Sequence, residues 1–517
     1  MFRSAHADVE IPNLSLSDFV LRATHDHSAK LALVDSSTGA ELTYGRLRDR
    51  VRRAAAGLAA LGIGKGDVVA LSAPNSPEFA VAFFAIVRLG AVVTPANPAN
   101  TSHEIARQLV DSGAKLLVVA AALADKARAA VAEMARRIDI VTIDGATKGL
   151  RSLEAIERGD EPPVVEIDPA ADLAVLPYSS GTTGLPKGVM LTHRNIVANL
   201  AQLAAVEHHE LGALVGVLPF FHIYGMVVIL SFGLMRGLTV VTMPRFELEP
   251  FLKVLQEWRI ELAHIVPPVA IALAKHPVVA DYDLSHLRWL LSAAAPLGSD
   301  VADAIEARLG VRMRQGYGMT ECSPASHYTG PNERRSGKAG TLVPNTECRI
   351  VSTETGRDLG TNEPGEVWVR GPQVMKGYLD NPEATARTVD ADGWLHTGDI
   401  GVVDDDGYLL VVDRLKELIK VKGFQVAPAE LESLLLRHPR VADAAVIGVP
   451  DDEAGEVPKA IVVAREPLTA ADVIAYVNAE VAHYKRVRHV EFVDAIPKSA
   501  SGKILRRVLV ERERARR

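Results

Sequence analysis

The sequence predicts an α/β protein. A large N-terminal domain of layered βα units, with mostly parallel sheets and a small β-rich subdomain, is followed by a small α+β C-terminal domain. Three observations carry this. The chain has 517 residues, too many for one ordinary core, so several packed units are expected. Its first third alternates helical and strand patterns joined by short loops, as repeated βα units do. After about residue 335 the pattern shifts to short strands between turn signals, and from Asp413 the composition turns Lys-rich.

The elements follow in order. Leu47, Val51, Ala54, Leu58 and Leu61 recur at helical spacing, and Gly62 is placed to end that helix. The apolar run 68–73 reads as a buried strand. Ser76 as N-cap and Pro77 at the first helical position open the next helix, which Gly90 closes. A strand over 91–96, a helix opened by Thr101 and Glu104 at capping-box spacing, and a strand over 115–120 follow. The apolar stretch from Met226 to Thr242 is broken by Arg236 and two glycines, and reads as buried helix and strand instead of a membrane span. Later, "CRIVS", "GEVWVRG" and a hairpin about Asp406–Gly407 predict the β-rich part. "APAELESLLLRHP" is one helix, with Pro428 near its start and Pro439 beyond its end. A boundary at Asp413–Lys416 divides the chain into domains 1–412 and 413–517.

Bulk properties exclude several classes. Hydrophobic residues are 48% and charged residues 23%, with net charge −7 and a pI near 6.2. Mild acidity speaks against gripping nucleic acid, which wants a concentrated positive field. The two cysteines, Cys322 and Cys348, have no metal-ligand spacing and suggest a reducing compartment. No signal peptide, membrane span or peroxisomal address is read, so a cytoplasmic protein is expected, a monomer or weak homodimer.

"YSSGTTGLPKGVMLTH" (178–193) is the most informative segment. Between an apolar strand-like run and a helix sit Ser179, Ser180, Gly181, Thr182, Thr183, Gly184, Lys187 and Gly188. Glycines let the backbone approach an anion, hydroxyls and N–H groups donate to phosphate oxygens, and Lys187 adds charge. It is not a Walker A loop, because Lys187 is followed by Gly188 and not by Ser or Thr. Other positions are ambiguous alone. "GYGMTE" (316–321) also suits a tight turn opening a helix. Asp399 in "HTGD" also suits a turn former, and Lys503 in "SASGKILRR" a solvated surface charge. His222, among aromatics, is more often core than catalyst.

Together the motifs resemble the ANL superfamily of adenylate-forming enzymes, and within it the 4-coumarate–CoA ligase branch with its bacterial cinnamate–CoA ligase relatives. "LTYGRLRDRV", "GIGKGDVVAL", "LPFFHIYGM", "QGYGMTE", "GEVWVRG", "GWLHTGD", "DRLKELIKVKGFQVAPAELE" and "PKSASGKILRR" spread the likeness over nearly the whole chain. The resemblance implies a reaction of a carboxylic acid, ATP and Mg²⁺ giving an acyl-adenylate, then transfer to coenzyme A. It implies that Ser179, Ser180, Gly181, Thr182, Thr183, Gly184 and Lys187 cradle the β- and γ-phosphates. Ala294 and Gln315 would bind ATP or AMP, Gly316, Tyr317 and Gly318 would lie on the adenine side with Tyr317 stacked on the base, Thr320 would bond the α-phosphate and Glu321 the Mg²⁺. Asp399 and Arg414 would hold the ribose. Lys503 would be the principal catalytic residue, His222 the gate beside the carboxylate, and Lys420 and Gln425 groups near AMP. Lys416 would be the hinge of a mobile C-terminal domain. Lys422, Gly423 and Phe424 would face the thiol tunnel, and Lys485, Arg486 and Arg488 either CoA phosphates or only solvent.

For the acid, the expected pocket is His222, Tyr224, Ala293, Gly316, Gly318, Pro324 and Ala325. Small residues leave a slot and Tyr224 with Pro324 supplies flat walls, which suits cinnamate or 4-coumarate. Ala325 stands where coumarate ligases commonly carry a bulkier aliphatic residue, which implies a wider pocket. Other readings are a medium-chain acyl-CoA synthetase, a stand-alone enzyme loading a carrier protein, a luciferase-type oxygenase, and a non-catalytic acyl or nucleotide sensor.

Overall fold

A computed structural model describes the chain except residues 180–185, 334, 416, 422, 423, 452, 453, 500, 501 and 517, and the side chains of Thr24, His25, Phe424 and Gln425. Local signals set the first layers. Thr43 caps the helix Tyr44–Ala60, Ser76 caps Pro77–Arg88, and Thr101 with Glu104 forms a reciprocal capping box on Ser102–Asp111. Between them Val68–Ser72, Val92–Pro95, Leu116–Val119 and Asp139–Thr142 pair in parallel at the heart of a nine-stranded sheet. The strand Val92–Pro95 and the helix Pro77–Arg88 are buried almost throughout, so their runs are mostly apolar, with Thr94 the buried polar exception in the strand.

Two more sheets share this core. Ala213–Gly216, Thr239–Thr242 and Leu31–Asp35 are parallel, as are Leu262–Ile265, Trp289–Ser292 and Arg312–Gly318. The Met226–Thr242 stretch is a π-helical segment Tyr224–Ser231, a helical turn Phe232–Met235 and the strand Thr239–Thr242. Gly225 sits where a Cβ would lie 2.2 Å from the Pro219 carbonyl oxygen, so only glycine fits this bend. An antiparallel sheet holds Glu347–Val351, Gly365–Arg370, Leu395–Val403 and Leu409–Arg414. A fifth sheet, with helices Pro428–Arg437, Ala470–Glu480 and Arg506–Ala515, has its own core from Ile419 to Leu509.

The helix expected after the phosphate segment is present, but an unexpected strand precedes it. Tyr178–Ser179 pairs antiparallel with Lys187–Thr192, and only then does Thr192 cap the helix His193–Val206. The run "GVMLT" is short, and its burial in a sheet is a tertiary matter that helix-cap signals beside it obscure.

Under the third sheet lies a buried ion pair. Arg314 and Glu207 are 2.7 Å apart and essentially unexposed. Arg314 Nε donates to the Thr329 carbonyl (2.8 Å), and the Tyr328 hydroxyl donates to Glu207 (3.1 Å). Removing one partner leaves the other charge uncompensated. Arg314→Met is expected to destabilise by about 3–5 kcal/mol. Arg314→Met with Glu207→Gln should recover most of that, read as melting temperatures by circular dichroism.

Candidate active site

The strand Arg312–Gly318 runs past the carboxyl end of its parallel neighbour Trp289–Ser292 and turns antiparallel to Ala325–Tyr328. The crevice outside such strand ends is where α/β sheets bind ligands. A cavity of about 540 Å³, counting its open mouth, lies here. Its lining includes His222, Tyr224, Ala293, Ala294, Gly316, Tyr317, Gly318, Thr320, Pro324, Ala325 and Lys503. All the expected acid-pocket residues therefore meet in one space.

The glycines have a further cause. A Cβ on Gly318 would lie 2.0 Å from the Pro324 carbonyl oxygen, and one on Gly316 would lie 3.3 Å from that of His327. Close backbone approach demands glycine at 318, while at 316 the approach is only tight and the slot is the further reason for a small residue. Ala325 is fixed by Asn199, which accepts its N–H (3.1 Å) and donates to its carbonyl (2.8 Å). Gln315 donates to the Leu297 carbonyl at 3.2 Å, and Ala294 holds a left-handed backbone with φ +74°.

Lys503 reaches the cavity from the C-terminal segment. Its N–H donates to Ser499 Oγ (3.1 Å), and the Ser499 N–H donates back to the Lys503 carbonyl (2.8 Å). Gly502, at φ +80°, packs on Pro268 and Val266. Burial, then the nearby Arg414, pushes the Lys503 ammonium down to about 8, while Asp399, Glu321 and Glu417 oppose this. His222 is pushed down to about 4 by burial and by Lys503, so it is neutral. Its Nδ1 accepts the Tyr224 N–H at 3.3 Å.

Asp399 and Arg414 are register partners on adjacent strands, 3.5 Å apart. The Tyr317 hydroxyl donates to Asp399 at 2.6 Å. Burial raises the Asp399 carboxyl above its ordinary range, against the pull of Arg414. Glu321, also buried, accepts from the Tyr378 hydroxyl at 2.9 Å, and the Lys187 ammonium lies 4.9 Å from the centre of that ring. Tyr378 thus ties the end of the phosphate segment to Glu321.

Some expected residues lie elsewhere. Lys420 is exposed on the strand Ile419–Val421, its N–H donating to Glu456 at 2.9 Å, and does not line the cavity. Lys485 pairs with Glu430 at 2.7 Å, while Arg486 and Arg488 line a separate cavity beside Val421 and Tyr484. Ser180, Gly181, Thr182, Thr183, Gly184, Lys416, Lys422 and Gly423, and the side chains of Phe424 and Gln425, lie outside the described residues.

The family model of the AMP-binding enzyme matches residues 20–379, and that of the AMP-binding enzyme C-terminal domain matches 430–503. The chain belongs to the AMP-binding enzyme family. Among relatives of this AMP-binding enzyme, 4-coumarate–CoA ligase 3 of Oryza sativa subsp. japonica is 45% identical, covering 98% of this chain and 94% of its own. 4-Coumarate–CoA ligase 2 of Petroselinum crispum is 45% identical, covering 98% and 96%. Among solved structures, the anthranilate CoA ligase AuaEII in complex with anthranoyl-AMP has TM-score 0.89 at 27% identity, covering 98% of each chain. ATP-bound MatB from Rhodopseudomonas palustris has TM-score 0.88 at 31% identity, covering 96% of this chain and 99% of that one.

Sequence reading missed Tyr378, His264 and Arg314 in this AMP-binding enzyme. Tyr378 sits in an unremarkable "KGYL". His264 lies inside an apolar strand and Arg314 in a strand of mixed polarity, and in neither does any spacing mark a partner. The Lys503 value gives a pH test. The ammonium is charged below about 8 and loses its proton above that, while His222 stays neutral across the range. The kcat/KM for adenylate formation, which reports the free enzyme, should therefore fall as pH rises through 8 in pyrophosphate-release assays.

Proposed function

We propose that the chain is an AMP-forming acid–CoA ligase acting on planar aryl monocarboxylic acids of the cinnamic and 4-coumaric type. The observation that carries this is Lys503, delivered by the C-terminal segment into the same apolar-walled cavity as His222 and Tyr224. The likeness to 4-coumarate–CoA ligases over nearly the whole chain supports the reaction and the acid class.

In the first half-reaction a carboxylate oxygen attacks the α-phosphorus of ATP, and the bond from that phosphorus to the bridging oxygen breaks to release pyrophosphate. The Lys503 ammonium sits where negative charge gathers, and in a site shielded from water its effect is large. His222, neutral and fixed by its Nδ1 bond, borders the carboxylate. Asp399 and Arg414 take the ribose hydroxyls. Serines and threonines of 179–183, with Lys187, receive the pyrophosphate.

Mg²⁺ fits here. Among the described residues no group of three carboxylates, histidines or cysteines gathers, but Mg²⁺ is usually held by one or two carboxylates together with substrate phosphates. Glu321, buried and held by Tyr378, is such a carboxylate. When bound, the ion would neutralise phosphate charge.

Lys503 is the sole charged side chain among the cavity-lining residues described. A second carboxylate would find no partner there, which favours monocarboxylic over dicarboxylic acids. The flat faces of Tyr224, Tyr328 and Pro324 favour an aryl ring.

In the second half-reaction a pantetheine sulfur attacks the acyl carbon, the bond to AMP breaks, and the thiol proton leaves to solvent. Lys503 must then withdraw with domain 413–517 about a hinge at Lys416. Arg437–Asp300 (2.5 Å) and Lys275 Nζ to the Leu436 carbonyl (2.9 Å) hold the adenylating arrangement until then.

The test follows pyrophosphate release and thioester formation with cinnamic, 4-coumaric, benzoic and C6–C12 acids. Thioester from the cinnamic acids, with adenylation lowered about 10²–10³-fold in Lys503→Ala, is the expected outcome. Preference for C6–C12 acids would favour a fatty-acid enzyme, and pyrophosphate without thioester a carrier-protein acceptor.

A further inference from the structure

The acid cavity has a polar wall that the proposed reaction does not use. Tyr224 and Leu291 line it. Behind them stands His264, on the strand Leu262–Ile265 and only 2% exposed. Its Nδ1 lies 3.3 Å from the Tyr224 hydroxyl oxygen, and the Leu291 carbonyl oxygen lies 3.4 Å from that same atom. The two rings meet edge to face, with centroids 5.8 Å apart at 88°. This hydroxyl is directed at the wall formed by the strands Leu262–Ile265 and Trp289–Ser292, which carry His264 and Leu291.

The surroundings settle the protonation of both groups. Burial first, and Arg314 second, push His264 down to about 3, so its ring is neutral at any working pH. Burial raises the Tyr224 phenol, so it stays un-ionised. A neutral imidazole has one bare and one protonated nitrogen. With Nδ1 bare, it accepts the Tyr224 proton. With Nδ1 protonated, it donates to the Tyr224 oxygen and the tyrosine proton turns to the Leu291 carbonyl. In both arrangements the hydroxyl proton is engaged inside the wall, and only oxygen lone pairs are left for a ligand.

We propose that His264 is a positioning residue for substrate choice. Together with the Leu291 carbonyl it turns the Tyr224 proton away from the cavity, so the pocket selects aryl acids with a hydrogen-bond donor on the ring. A phenol or an aryl amine meets a lone pair. A methoxy group presents oxygen to oxygen, and an unsubstituted ring leaves the polar atom unanswered. Sites built to bond a substrate hydroxyl reject analogues lacking it because their buried polar groups are left unpaired. The inference rests on the aryl-acid reading above.

The test compares 4-hydroxycinnamic, 4-methoxycinnamic and cinnamic acids in the wild type, His264→Leu and His264→Asn, with thioester formation as readout. In the wild type, kcat/KM for the 4-hydroxy acid should exceed that for the 4-methoxy acid by about tenfold or more. In His264→Leu a single long contact is left to hold the hydroxyl. The KM for the 4-hydroxy acid should rise roughly three- to tenfold, with its kcat and both constants for cinnamic acid unchanged. Asn, whose amide can accept or donate near the Nδ1 position, should restore the preference. Equal losses for all three acids in His264→Leu, an unchanged ratio, or no rescue by Asn would overturn the inference alone. Failure of the wild type to form a thioester from any of the three would overturn the aryl-acid reading, and the inference with it.

Discussion

The proposed catalytic arrangement depends on placing one ammonium, that of Lys503, in a half-buried position within the cavity. Desolvation disfavours the charged form, which is why this group sits near 8 and not at its ordinary value. The carboxylates of Asp399, Glu321 and Glu417 offset part of that cost. Each comes from a different place: a strand of the antiparallel sheet, a turn after the third parallel sheet, and the start of the C-terminal segment. Next to Lys503, Gly502 at φ +80° rests on Pro268 and Val266, and Ser499 bonds the Lys503 backbone at both its N–H and its carbonyl.

Around that charge the protein supplies rigidity instead of more charge. The strand that carries Gln315 to Gly318 is anchored by Arg314, whose guanidinium is answered by Glu207 and the Thr329 carbonyl. Asn199 clamps Ala325 on the facing strand, and backbone approach leaves room only for glycine at 318. Pre-set walls of this kind let a ligand bind without first ordering the site. Tyr378 plays a comparable part on the phosphate side, holding the Glu321 carboxylate with its hydroxyl and meeting Lys187 with its ring.

Much of this was legible in the chain itself. Capped helices such as Pro77–Arg88 and Ser102–Asp111 announce themselves because the cap and the apolar period are local. Lys503, His222, Tyr224, Gly316, Gly318 and Pro324 could be gathered as one site from motif likeness, and one cavity does hold them. The strand Lys187–Thr192 was not legible. Its pairing partners, Leu173–Val175, Tyr178–Ser179 and Gly377–Tyr378, include one almost two hundred positions away in sequence.

What the sequence determined alone is therefore the set of local choices: where helices start, which strands are buried on both faces, and which motifs mark the chain as a member of its family. What only the tertiary structure decided is which side chains answer one another across long separations. Arg314 with Glu207, Tyr378 with Glu321, and His264 with Tyr224 lie 107, 57 and 40 positions apart. No periodicity encodes such pairs, because burial removes water as a partner and each polar group must take whatever the packed sheets bring within reach.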